Sequence, residues 1–251
     1  MRRAALPAIC IAALLVTAGC TGLPVVGASG DHSGRPASDP EARRLAADAR
    51  EAMRAVESYR MNATLHVSLE GDAYHLERRG VFDAEAKRAR LTLAADGTRR
   101  RAYVDGTTMY VNTSDGWTTR EFAGDANWST AVGVAQQRRL LRNGTVTFLG
   151  NETVDGVRTT VLRVYPEEGV LRQLVTREAA GTGLGPITIE EATYRLYLAK
   201  DTHLPVKVEM NLQLTVEASP DRSGHGSATI TFTDYGTPVN VTIPDRATGS
   251  E

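Results

Sequence analysis

Six of the seven asparagines stand two residues before a serine or threonine: Asn62-Ala-Thr64, Asn112-Thr-Ser114, Asn127-Trp-Ser129, Asn143-Gly-Thr145, Asn151-Glu-Thr153 and Asn240-Val-Thr242. In this pattern the side-chain amide can accept an oligosaccharide, which requires an exposed position outside the cytoplasm. Chance would supply about one such match among seven asparagines. Turn and cap preferences explain Asn127, Asn143 and Asn151 beside element ends, but not the hydroxyl two places on. Catalysis leaves no comparable trace. His32, His66, His75, His203 and His225 are scattered without metal-ligand spacing, and there is no G-x-S-x-G nucleophile turn. The pairs Glu167-Glu168 and Glu190-Glu191 are sequence neighbours, which suits a solvated surface better than an acid/base pair. Gly181, Gly183 and Gly185 precede a strand pattern rather than opening a helix, so they mark a flexible loop and not a phosphate cradle. Neither enzyme activity, a cofactor nor a metal is expected.

Cys20 is the other chemically distinctive residue. Arg2 and Arg3 lead into an apolar stretch from Ala4 to Val16, followed by the small residues Thr17, Ala18 and Gly19 and then the cysteine. The apolar run is too short to span a bilayer, and its order is that of a signal peptide over residues 1–19. Small residues immediately before a cysteine resemble a lipoprotein processing site, at which Cys20 receives a diacyl or dialkyl glyceryl group and becomes the first mature residue. Thr17 stands where Leu, Val or Ile is usual, and a plain signal peptide with an incidental cysteine is the alternative. Cys10 and Cys20 are the only cysteines, so the mature chain forms no internal disulfide and its core must hold it together. Two lipid chains on one cysteine anchor stably, whereas one is marginal. The expected location is the outer face of the cytoplasmic membrane, with residues 20–39, rich in Gly, Ser and Pro, as a flexible tether. A lipidated cysteine combined with many sequons suggests an archaeal cell surface. The 26 Arg against 3 Lys fit a GC-rich or salt-adapted genome, but a net charge of −1 lacks the acid excess of salt-loving chains. The same near-neutral balance argues against nucleic acid as a partner.

The elements that must position these residues follow from periodicity. Asp39 before Pro40 reads as an N-cap and first-turn proline, and Leu45, Ala49, Ala52, Met53 and Val56 recur at helical spacing to about Ser58. The period then drops to two: Tyr59, Met61, Ala63, Leu65, Val67 and Leu69 alternate with polar residues, placing Asn62 on the wet face. Strands are predicted at 73–82, 87–95, 99–104, 107–113 and 117–122, with turns at Asp96-Gly97, Asp105-Gly106 and Asp115-Gly116. A helix over 126–142 stops at Asn143-Gly144, a hairpin over 144–165 turns at Asp155-Gly156, and a short helix is predicted over 167–179. Val206, Val208, Met210, Leu212, Leu214 and Val216 then alternate with polar residues, and "SATITFTDYG" closes a last strand. Arg78, Arg79, Lys87, Arg88, Arg90, Arg99, Arg100 and Arg101 form a basic stretch, read as a solvated hairpin face or a contact for anionic head groups.

A one-sided antiparallel sheet needs a cover, and the helices are the available one. The expected fold class is α+β: a curved antiparallel sheet of roughly 9–11 strands with two or three helices across its concave face. It forms one domain over 40–245 with a tail at 246–251. The phrases "NETVDGVRTTVLRV", "RLYLAKDTHLPVKVEM" and "FTDYGTPVNVTIP", with the opening helix running into "SYRMNATLHVSLEG", resemble the LolA-like lipoproteins, especially the LppX/LprG type. The resemblance covers about residues 40–245. It implies a half-open barrel whose helices roof an apolar cavity, and carriage of lipids or lipoproteins. On that reading Leu65, Val67, Leu196, Leu198, Met210 and Leu212 line a pocket for a hydrophobic lipid, where burial at about 25 cal/mol per Å² suffices without polar contacts. The rival is a glycosylated surface interaction or sensor module with a solid core, contacting a partner protein. A monomer is expected.

Overall fold

A computed structural model describes residues 36–69, 72–95, 97–121, 133–167, 169–172, 187–216 and 219–249. The expected signal peptide, Cys20, most of the tether, Asn127, the start of the 126–142 helix and most of the 167–179 helix lie outside the described residues. So does the glycine loop that follows.

Helix α1 spans Pro40–Arg54. Asp39 caps it, accepting the Ala42 amide at 2.7 Å, and Pro40 occupies the first turn, where no amide donor is needed. Its buried line is Ala42, Ala46, Ala49 and Met53, while Leu45 and Ala52 are half-buried. The helix ends at Arg54 and not near Ser58, because Ser58 is already paired with Asp83 in the sheet and its hydroxyl donates to the Thr237 carbonyl at 2.6 Å.

The described residues form eleven strands, ten of them near predicted runs and β9 additional: β1 Ser58–Leu69, β2 Asp72–Asp83, β3 Arg88–Ala95, β4 Thr98–Asp105, β5 Thr108–Thr113, β6 Gly116–Glu121, β7 Gly144–Val154, β8 Val157–Pro166, β9 Ile187–Ala199, β10 Pro205–Val216 and β11 Ser219–Thr233. Helix α2, Gly133–Arg142, precedes β7, and the short α3, Asp245–Thr248, follows β11. Residues 169–172 form a single helical turn. The strands make one curved antiparallel sheet in the order β6-β5-β4-β3-β2-β1-β11-β10-β9-β8-β7, so β1 and β11 are central and β6 and β7 are free edges. The fold is α+β, with a sheet that does not close.

An unpaired edge is a hazard because its amides can recruit another strand. On β7 the Val146 amide donates to Ser38 Oγ at 2.8 Å and the Phe148 amide to Asp39 Oδ2 at 3.3 Å. The residues that start α1 thus also cap this edge. Helix α1 packs on α2 and β7, and α2 packs on β7 and β8. Tyr59 of β1 reaches the start of α2, where its Oη accepts the Val134 amide at 3.2 Å, and its ring stacks on Phe82 at 4.5 Å. Buried Gln137 of α2 accepts the Tyr194 hydroxyl of β9. Both helices therefore lie over one face, toward the β7–β9 end.

Candidate ligand site

Residues opposite one another in an antiparallel pair share a face, so the register sorts every strand position. One row joins Leu76, Leu65, Ala228, Met210 and Tyr194, and the next joins Tyr74, Val67, Gly226, Leu212 and Ala192. On the other side of the first row lie Ala63, Ile230, Val208, Leu196 and Leu162. This is the face that Tyr59 and Tyr194 present to α2, here termed inward. Leu65, Val67, Leu196, Leu198, Met210 and Leu212 all belong to it.

The inward face divides by burial. Toward β7–β9 it is sealed: Leu162, Leu196 and Leu198 are fully buried and Val164 nearly so, with Leu140 and Leu141 of α2 among the same packed cluster. Met210, at 8 %, and Leu212, at 5 %, are close to sealed, and Val67 stands at 9 %. Across the centre and toward β5 burial is mixed: Leu65, Leu76, Leu93, Met109, Val111 and Ile230 are half-buried, whereas Phe82, Leu91 and Val104 on the same face are buried. Small residues sit between them. On β11 the inward positions 224, 226 and 228 are Gly, Gly and Ala, opposite Leu69, Val67 and Leu65. A Cβ built at Gly226 would meet Leu214 at 3.4 Å, ordinary van der Waals contact, so that glycine leaves room and is not there to avoid a clash. The result is a band of half-buried apolar side chains from β1, β2, β3, β5 and β11, here termed the trough, beside a packed core that also takes in Phe82, Leu91 and Val104. Leu65 lies in the trough, Val67 at its border, and Leu196 and Leu198 in the core. Sequence reasoning did not single out Leu76, Leu93, Met109 or Val111. Their alternation was legible, but basic residues break it, and only the register places β2–β5 beside Leu65.

The outward face holds two of the glycosylation candidates, Asn62 and Asn112, and a second concavity. Asn62, Asn112, Asn151 and Asn240 are exposed, whereas Asn143 is half-buried at the end of α2 and takes a 3.2 Å hydrogen bond from Arg142 Nε. Asn62 and Asn112 occupy outward positions of β1 and β5. Histidines that looked scattered converge: His66 faces His75 across the β1–β2 pair with Nδ1 atoms 3.1 Å apart, and His75 Nε2 lies 3.3 Å from Glu77. Both line, with His225, Glu191, Asn211 and Gln213, a groove of about 490 Å³. The β1–β2 register makes the first pair, but His225 arrives only through the long-range β1–β11 pairing, which no local pattern announces. Among the described residues no group of three or more His, Cys, Asp or Glu is placed to hold a metal ion. Nearby, burial of Glu209 pushes its carboxyl up, but hydrogen bonds from Lys207 Nζ at 2.6 Å and Tyr197 Oη at 2.7 Å outweigh that and leave it below the usual range. Burial, then the Glu209 contact, pushes the Tyr197 phenol up to about 12.

Among the described residues no helix is long and apolar enough to cross a membrane. The model of DUF7537, a family of unknown function, matches residues 5–238. No curated protein matches the sequence. Among solved structures, the chain is similar to the lipoprotein LppX of Mycobacterium tuberculosis, at 17 % identity and a TM-score of 0.50 over 82 % of this chain and 100 % of that one. It is similar also to LprF of Mycobacterium bovis, at 15 % identity and a TM-score of 0.52 over 84 % and 100 %. The fold is therefore of the LolA-like, LppX/LprG type.

Proposed function

We propose that this chain, which belongs to the DUF7537 family of unknown function, binds a hydrophobic ligand, a lipid, in the inward trough and carries or presents it outside the cytoplasm without any covalent step. The observation that carries this reading is the run of half-buried apolar side chains, Leu65, Leu76, Leu93, Met109, Val111 and Ile230, on the face that also carries the packed core. Leaving that much contiguous apolar surface in water is unfavourable at about 25 cal/mol per Å², and acyl or isoprenoid chains would remove it. The fold shared with LppX and LprF is compatible with such a role. In this reading residues 40–245 are the binding domain, residues 20–39 the tether, and Cys20 the lipidated residue that holds the protein to the outer face of the membrane. Sugars on Asn62, Asn112, Asn151 and Asn240 would project into solvent, and the protein would act as a monomer.

The test is native mass spectrometry of the full chain from its own host, with organic extraction of whatever dissociates. A noncovalent lipid in near-stoichiometric amount is expected, and Leu65→Arg, which puts a charge at the centre of the trough, should reduce its occupancy at least about tenfold while the protein stays folded. A chain carrying only its anchor and sugars would overturn the reading.

A further inference from the structure

On the outward face, opposite the trough, two imidazoles meet. His66 of β1 and His75 of β2 are nine residues apart in sequence and directly opposed in register. Their Nδ1 atoms are 3.1 Å apart while the ring centroids are 4.4 Å apart, so the rings converge on their Nδ1 edges instead of stacking face to face. Both side chains are exposed. Two nitrogens that each lie about 2.0–2.1 Å from one metal ion stand about 3.1 Å from each other when the angle at the metal is about 98°, between the square-planar and tetrahedral values. The pair therefore already has the separation of two ligands on a single ion.

The far nitrogen of His75 is an independent sign. Its Nε2 lies 3.3 Å from Oε1 of Glu77, two residues on along the same face of β2, and the second oxygen of Glu77 lies 3.8 Å from Arg79 Nη2. An ionised carboxylate only accepts, so the proton of the neutral His75 ring belongs on Nε2, and the Nδ1 lone pair is left facing His66. A carboxylate on the distal nitrogen is the usual support of a metal-ligating histidine, where it fixes tautomer and ring orientation and raises basicity. His66 completes the pair with a second lone pair in its Nε2–H tautomer. In its other tautomer it donates Nδ1–H to His75, so the metal-free pair satisfies itself and is held at the same separation.

From this we infer that His66 and His75 bind a divalent transition-metal ion of the kind imidazole suits, Cu(II), Ni(II) or Zn(II), through both Nδ1 atoms, with Glu77 as the positioning residue. Among the described residues no third His, Cys, Asp or Glu is placed to join them, so the remaining coordination positions face the groove and solvent and are filled by water. The site is independent of the trough, which lies on the other face of the sheet.

The full-length protein from its own host, stripped of metal with a chelator, is titrated with Cu(II), the ion held most tightly in the divalent series. Calorimetry reads the affinity and electron paramagnetic resonance the ligand nitrogens. One equivalent should bind with the signature of two imidazole nitrogens. His66→Asn and His75→Asn, both at exposed positions, should each lower the affinity at least about tenfold and leave a single nitrogen in the spectrum, whereas His203→Asn, between β9 and β10, should change neither. Glu77→Gln should weaken binding about tenfold with both nitrogens retained, and Glu77→Asp should recover part of the loss. Should one histidine variant fold poorly, the other and the wild-type spectrum decide. Absence of saturable binding, or a wild-type spectrum with fewer than two imidazole nitrogens, would overturn the inference. Unchanged affinity in folded His66→Asn and His75→Asn would overturn it too, since the ion would then be adventitious and held elsewhere on the chain.

Discussion

Asp39 satisfies backbone donors of two elements, the Ala42 amide of α1 through Oδ1 and the Phe148 amide of edge strand β7 through Oδ2. Hydrogen bonds from those amides, Ala42 first, hold its carboxyl below the ordinary value of 3.8. A depressed folded-state pKa means stability that is complete above the unfolded value and is lost as pH falls through the folded one. The thermal midpoint of the wild type should therefore drop more between pH 5 and pH 2.5 than that of Asp39→Asn, which keeps the cap without the charge. Asp39→Ala should be destabilised across the whole range. Parallel pH profiles for the three proteins would sink this account of Asp39. A second contrast at this scale separates trough from core. Leu196 is fully enclosed, so Leu196→Ala should cost about 2–5 kcal/mol in chemical denaturation. Leu65 is already half exposed, so Leu65→Ala should cost clearly less while weakening lipid retention. Equal losses of stability would mean that Leu65 is packed like Leu196.

At the scale of elements, the joint between α2 and β1 rests on one glycine. Gly133 has φ +52, a region costly for residues with a Cβ, and a Cβ there would clash with Tyr59 Oη. Gly133→Ala should thus push α2 off Tyr59 and lower stability by about 1–3 kcal/mol, whereas Gly97→Ala, equally positive in φ but with open space around it, should cost only the backbone term. Urea titration of both variants distinguishes strain alone from strain with a clash. Much of this layer was legible beforehand. Strict alternation over β1 and β10, and Gly-containing turns at 97, 106, 116 and 156, located β1–β8 and β10 to within a residue or two, because period and turn chemistry are local, whereas β9 was not delimited and β11 begins at Ser219, well before the predicted run from Ser227. Burial within the elements was less legible. In α1 the alanines at 42 and 46 take the central buried line while Leu45 stays half-buried, since the approach of α2 and β7 decides which stripe is central. The inward position of Arg78 and Arg100 follows only from pairing β2, β3 and β4 in register, for in sequence they blend into a run of outward arginines.

At the scale of the whole sheet, the inward face joins a sealed end over β7–β9 to a stretch where half-buried apolar side chains lie among buried ones, and ligand linkage should expose that division. Anything that binds the folded state alone raises its stability by RT ln(1 + [L]/Kd), about 2.7 kcal/mol at a hundredfold excess over Kd. Extracting the lipid from the full-length protein should accordingly lower the midpoint, and restoring it should reverse the change. The location of the effect is the sharper prediction. Amides of β2–β5, whose inward side chains Leu76, Leu93, Met109 and Val111 are half-buried, lie under the proposed ligand and should gain protection from hydrogen exchange when it binds. Amides of β8 and β9, packed on Leu162, Leu196 and Leu198 beneath the helices, are already shielded and should change little except through global stabilisation, which protects all slowly exchanging amides alike. Exchange measured with and without lipid, at a pH and temperature where local opening dominates, separates the two contributions. Protection confined to β2–β5 and the facing positions of β1 and β11 would mean that the trough holds the chains. An equal gain across the sheet would point to stabilisation without a ligand in the trough, and a gain restricted to the outward groove around His66, His75 and His225 would move the ligand to the other face.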